Sequence, residues 1–291
     1  MSRGLDHLVV AVRDLDKAAR FYERLGFQVG TRNRHPWGTE NRLVQFSGSF
    51  IELITVGDGV EVPDPAPRQF GFGSFVRDYL ARREGIAMLV LDSTDASADA
   101  TAFAQAGIGD FEPFFFERVG RRPDGAEARV AFTLAFARDQ AAESVGYFLS
   151  QQHYPENFWN DAFQRHPNGA SAITAVVLAA PEPEHHHAFL STFTGAAPTQ
   201  PSGHDLSYLL ARGRLDVMTP DDAAEVYTSV EANPGQASLV ALSVCVADVD
   251  RQAQNLAASS IPFQRIGSRL IVPSSAAFGV AIAFEPAIEA I

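Results

Sequence analysis

The opening stretch GLDHLVVAVRDLDKAARFYERLGF, from Gly4 to Phe27, constrains the fold more than any other part of the chain. A run of β-branched and leucine residues breaks at Arg13-Asp14. It gives way to an amphipathic pattern at Leu15, Ala18, Ala19, Tyr22 and Leu25, closed by Gly26. This reads as a strand, an Asp-capped helix and a glycine stop. Gly85 to Ile108 overlays it without a gap, with identities at Gly85, Leu89, Val90, Asp95, Ala100 and Gly107. A third unit opens with SAITAVVLAA and the helix PEPEHHHAFLSTFTG. The fourth, LVALSVCVADVDRQAQNLAASSIPF, repeats the Val-x-Asp-x-Asp break at Val246, Asp248 and Asp250.

Further strand-like runs follow each of the first two units. After the first come FQVGTRN, NRLVQFSG and SFIELITV; after the second come FEPFFFERVG, EARVAFTLAFA beyond the turn RRPDGA, and SVGYFLSQQH. Each unit is therefore expected to be β-α-β-β-β. The third closes with GRLDVMTP and the fourth with FGVAIAFEP. VEVPDPAPRQFGFGSFVRDYLARRE and YPENFWNDAFQRHPNGA read as connectors.

A period of two places Leu5, His7, Val9 and Ala11 on one face of the first strand, and Phe50, Glu52 and Ile54 on one face of SFIELITV. Both faces are apolar, so Glu52 is expected to be a buried carboxylate. Burying an unpaired carboxylate costs several kcal/mol. Glu52 should therefore have a partner: a metal, a histidine or an arginine. His7, equally isolated in an apolar strand, is a natural candidate. A shared metal, a core His–Glu hydrogen bond and an exposed edge position all stay open. Thr174 takes the place of His7 in the third unit, and Asp216 that of Glu52. Only the first unit carries both ionisable residues.

Composition narrows the function classes. Net charge −12 and a pI near 5.1 leave no basic stripe for nucleic acid. No apolar run reaches the length of a membrane span, and none opens the chain as a leader. Cys245 is the single cysteine and cannot form an internal disulfide. A soluble cytoplasmic protein acting on a small molecule is the expectation.

The opening DHLVVAVRDLDKAARFYERLGF with FIEL resembles the vicinal oxygen chelate superfamily of glyoxalase I, fosfomycin and bleomycin resistance proteins and extradiol dioxygenases. HPWGTENRLVQF, RRPDG and HYPENFW with FQRHPNGA resemble its glyoxalase-like domain proteins. The resemblance implies an α+β fold, with four βαβββ modules forming two glyoxalase-like open β-cups. An N-terminal domain, 1–155, would hold modules 4–57 and 85–153; a connector, 154–171, would follow; a C-terminal domain, 172–291, would hold modules 172–220 and 238–287. It further implies His7 and Glu52 as metal ligands, with Met88 and Ser150 standing where the partner unit should supply two more.

His153, just beyond the last strand of the second unit, is a candidate third ligand for Fe, Mn, Zn or Ni. His35 and Asn41 at the cup rim, Arg121 at the hairpin tip and Trp159 in the connector are candidate substrate-binding residues, with turn or packing roles as the alternative for each. His185, His186 and His187 read as a solvated helix end. No GxSxG, P-loop or GxGxxG motif supplies other chemistry. Two functions follow: a metal-dependent lyase, isomerase or ring-opening dioxygenase, or a metal-free, drug-sequestering binding protein. In either, the C-terminal half would be a degenerate copy that completes the pocket or a homodimer.

Overall fold

In the computed structural model, which describes residues 2–121, 125, 127–200, 205–228, 230 and 235–287, β1 (Leu5–Ala11) runs into α1 (Leu15–Arg24). The Asp14 carboxylate caps that helix by accepting from the Lys17 amide at 2.9 Å. Gly26 ends it at φ +91°, where a Cβ would sit 2.7 Å from Asn168 Cβ. The first repeat continues with β2 (Asn33–Arg34), β3 (Thr39–Gln45) and β4 (Phe50–Val56), and α2 (Phe72–Arg82) connects it to the second. The expected strand FQVGTRN pairs only at its end. Earlier residues, such as Gly30 bonding to the Leu43 carbonyl, cross β3 without forming a ladder.

The second repeat comprises β5 (Gly85–Asp92), α3 (Ala96–Gln105), β6 (Phe114–Arg121), β7 (Glu127–Ala137) and β8 (Gly146–Gln152). Asp95 caps α3 as Asp14 caps α1. Most of the RRPDGA turn lies outside the described residues, but Arg121 opposite Glu127 gives the hairpin register. A short α4 (Pro155–Phe158) opens the connector. Next come β9 (Ala170–Ala179), α5 (His187–Thr194), β10 (Leu206–Leu209), β11 (Arg214–Met218) and α6 (Pro220–Tyr227). The chain closes with β12 (Ser238–Val246), α7 (Val249–Ala258), β13 (Gln264–Ile266), β14 (Arg269–Val272) and β15 (Ala281–Pro286).

The first and last strands of each repeat pair in parallel: β1 with β4, β5 with β8, β9 with β11 and β12 with β15. Antiparallel pairing joins β1 to β5 and β9 to β12, so consecutive repeats meet through their first strands. A single contact, Leu239 opposite Ile86, joins both halves into one 15-stranded α+β sheet. The third repeat has three strands among the described residues, and before β10 those residues form a bridge between Thr199 and Ser207.

Helices α1, α3, α5 and α7 share one core between the two halves, whereas α2 and α4 pack on the first half and α6 on the second. Phe27 stacks on Phe284, Phe103 meets Phe193, and Tyr147 meets Phe189 and Phe193. Each such buried side chain contributes roughly 1.5–3 kcal/mol. The Leu25 carbonyl at the end of α1 accepts from Asn168 and from Gln252 of α7, both at 3.0 Å. His186 departs from the solvated-end reading: it is buried and donates from Nδ1 to Asp139 Oδ2 at 2.6 Å, while His185 and His187 are exposed. No helix of the described residues is long and apolar enough to cross a membrane.

Candidate functional site

The site begins with a β-bulge. On β5, Leu91 and Val90 are adjacent, but on β1 their partners are Leu5 and His7, so Asp6 is an extra residue. Leu5 consequently joins Leu8 and Val10 in the helix-side core, not the face it was expected to share with His7. Asp6 and His7 are brought together. The His7 Nδ1–H donates to Asp6 Oδ1 at 2.5 Å, and Gln152 donates to Asp6 Oδ2 at 2.9 Å. Phe50 stacks on the imidazole, centroid to centroid 4.2 Å and 13° from parallel. The ring is thus fixed in position, with Nε2 3.8 Å from Glu52 Oε2; in a neutral ring that donates from Nδ1, Nε2 is the acceptor.

Glu52 is buried, as its alternation in β4 predicts. Its Oε1 accepts from Asn41 Nδ2 at 2.5 Å, and the same amide reaches His35 Nε2 at 3.3 Å. A relay runs back from there: Asn33 Nδ2 donates to Asn41 Oδ1 at 3.1 Å, and Arg118 Nη1 donates to Asn33 Oδ1 at 3.3 Å. Every amide in the row has a consistent orientation. His35 Nδ1 lies 2.8 Å from Thr39 Oγ1, and its ring stacks on Trp37. Burial pushes the His35 pKa below the usual histidine range, and Arg118 adds to the lowering while Glu52 opposes it. Burial likewise lowers the Arg118 pKa, with Glu52 pulling the other way.

These groups open into a cleft walled by Phe50, Phe72, Phe116, Phe132, Phe148 and Phe158. It is narrow, with about 50 Å³ open to water-sized groups, enough for a small flat moiety. A second chamber of about 320 Å³ adjoins it, and both are lined by Leu43, Arg118 and Phe158.

His7, Glu52, His35 and Asn41 therefore come together. His153 does not: it is exposed and bonds Thr133, whose neighbours Phe132 and Leu134 face the cleft. Trp159 packs on Phe50 and Phe158 but does not line the cleft. Arg121 ends β6, its side chain outside the described residues, and Arg122 lies outside them altogether. Sequence reasoning missed Asp6, Asn33, Arg118 and most of the phenylalanine wall. Arg118 was within reach, since Phe114, Phe116 and Arg118 alternate inward on β6 just as Phe50 and Glu52 do on β4.

Residues 5–194 match the model of the glyoxalase-like domain family. The chain belongs to that family. No curated protein matches the sequence. Among solved structures, a hypothetical protein from Staphylococcus aureus superposes with a TM-score of 0.70 at 13% identity, covering 98% of this chain and 100% of the other. A triple mutant of 4-hydroxymandelate synthase from Streptomyces coelicolor gives 0.58 at 11% identity, covering 97% and 92%. A xylose isomerase-like TIM barrel/4-hydroxyphenylpyruvate dioxygenase fusion protein gives 0.54 at 15%, covering 100% of this chain and 50% of that one. These likenesses show a fold that this glyoxalase-like protein shares with all three.

The metal centre implied by the sequence resemblance does not fit this glyoxalase-like site. Among the described residues, no group of three His, Cys, Asp or Glu side chains could hold an ion. His7 Nε2 and Glu52 Oε2 are two donors. His35 Nε2 lies 4.0 Å from Glu52 Oε1, and the Asn41 amide donates to both atoms, which engages the His35 lone pair. Met88 and Ser150 occupy the partner-strand positions, and Ser150 lines the cleft as its single hydroxyl. Three protein ligands is the usual minimum for a catalytic zinc site.

Proposed function

We propose that the protein is an enzyme that moves protons next to a carbonyl group in a small, flat substrate bearing neighbouring oxygens, with His7 as general base. The observation that carries this reading is the buried Asp6–His7 pair, which fixes the imidazole with its Nε2 lone pair at an aromatic cleft. An oriented carboxylate–imidazole pair is a recurring way of building a base. The proton leaves the carbon next to the carbonyl for His7 Nε2, and the electrons of the C–H bond form an enolate. The resulting imidazolium lies between the Asp6 and Glu52 carboxylates, which stabilise it. Ser150 offers the cleft's hydroxyl to the enolate oxygen. Return of the proton to the former carbonyl carbon, with the substrate's hydroxyl proton passing to the enolate oxygen, completes an isomerisation; alternatively, collapse of the enolate to the ketone with departure of a leaving group and its electron pair from the β-carbon completes an elimination. Glu52, held by Asn41, supports charge and is not needed as a ligand.

The test uses 2-hydroxyacetophenone, an aromatic ketone with adjacent oxygens, in D₂O. NMR should show enzyme-dependent loss of the α-proton signal, slowed at least about 100-fold by His7→Gln. Binding without exchange by the wild type between pH 6 and 9 would sink the catalytic reading and favour a ligand-sequestering role, which the apolar walls equally support.

A further inference from the structure

The cation at the junction of the two chambers makes no ion pair among the described residues, and Glu52 acts on it only from beyond contact. Arg118 is the third inward residue of β6, and its guanidinium lines both spaces. Among the described residues no carboxylate lies within salt-bridge distance of it. Its contact there is the Asn33 side-chain oxygen at 3.3 Å, which uses one of five N–H donors. A part-buried guanidinium without an anion is costly to keep. The second chamber is uncharged apart from Arg118, with Gln28, Asn33, Gln45 and Asn157 set among apolar side chains such as Val130 and Phe163. Gln45 is 6% exposed and donates to the Phe158 carbonyl at 3.1 Å, while its Oε1 is buried without a partner.

We propose that Arg118 selects a carboxylate ligand that spans both chambers: an apolar, flat arm among the phenylalanines, the carboxylate on the guanidinium, and an uncharged arm with an N–H donor reaching Gln45 Oε1. An N-acylated amino acid with an aromatic side chain has this arrangement of groups. The inference rests on the cleft being the substrate site, as proposed above, and extends it by naming the charged group and the second arm that the adjoining chamber would accept. A carboxylate can accept two parallel bonds from the guanidinium fork, which a neutral amide cannot match.

Titration calorimetry with N-acetylphenylalanine, its carboxamide and 3-phenylpropionate tests the assignment. The wild type should bind the acid at least about tenfold more tightly than the carboxamide, the order expected of a charge-assisted bond. Arg118→Gln should erase that preference and Arg118→Lys restore part of it, with thermal melts checking that each variant folds. N-acetylphenylalanine should also bind more tightly than 3-phenylpropionate, a difference that Gln45→Leu removes. Equal affinity for acid and amide in the wild type, a preference that survives in Arg118→Gln, or no binding by any of the three would overturn the proposal. His7→Gln should abolish exchange yet keep the acid preference. Lost preference with intact exchange therefore refutes Arg118 alone, and intact preference without exchange refutes the base alone.

Discussion

Replacing Asp6 by Asn tests the proton-transfer reading with a change of one atom. The new amide can still accept the His7 Nδ1–H through its oxygen. Its NH₂ would then face Gln152, whose Oε1 is buried without a partner and is free to turn and accept it. Ring orientation and tautomer are thus preserved, and what is lost is the negative charge behind the imidazole. Opposite unit charges about 4 Å apart attract by about 4 kcal/mol at the effective dielectric suited to such sites. Between half and all of that acts in the transition state, so exchange should slow by about 30- to 1,000-fold. Affinity should stay constant, because Asp6 does not line the cleft. Single-turnover α-deuterium exchange by NMR, with calorimetry alongside, gives both numbers. A variant exchanging within threefold of the wild type would show that the Asp6–His7 pair is structural.

Other perturbations bear on the same site. Dialysis against EDTA should leave exchange within twofold, measured with elemental analysis of untagged protein; activity lost and restored by one divalent ion per chain would refute the metal-free account. His35 and His166 both have pKa values lowered by burial from about 6.5. As pH falls below that value, the unfolded chain takes up protons that the fold refuses, so stability should drop from about pH 6.5 downward. Melting temperature against pH should show this, with a shallower slope in His166→Gln. Phe158→Ala, which removes a ring lining both chambers, should cost about 3–5 kcal/mol by urea unfolding. Gly146→Ala should cost about 1–3 kcal/mol, because the added Cβ would lie 2.7 Å from Met88 Cγ.

Much of the architecture was legible because caps and stops are local. Asp14, Asp95 and Asp248 each cap a helix where the sequence placed a break. Glu52 was legible for the same reason its burial is costly: alternation in β4 is regular, so an acid among Phe50 and Ile54 has one place to go. Alternation failed at Asp6, since a bulge is set by pairing with β5 and leaves no mark on the strand that carries it. His153 looked close to the site in sequence, but one residue of strand separates the inner and outer faces of a sheet. His35 reached Glu52 through the β3–β4 pairing of Asn41 with Ile54, a long-range register that no local pattern encodes. His186 belongs to the contact between halves, where a partner 47 residues away decided its burial.

The placement of the helices limits how this molecule can be shortened. Around α1 and α3 the apolar surface is covered by the opposite half, so a fragment ending after β8 would present Phe27, Phe103 and Tyr147 to water and invite aggregation. The family match runs on to Thr194, the last residue of α5, whose Phe189 and Phe193 lie against Tyr147. The smallest piece worth expressing therefore extends past β8, and the carboxyl-terminal strands act as its permanent cover.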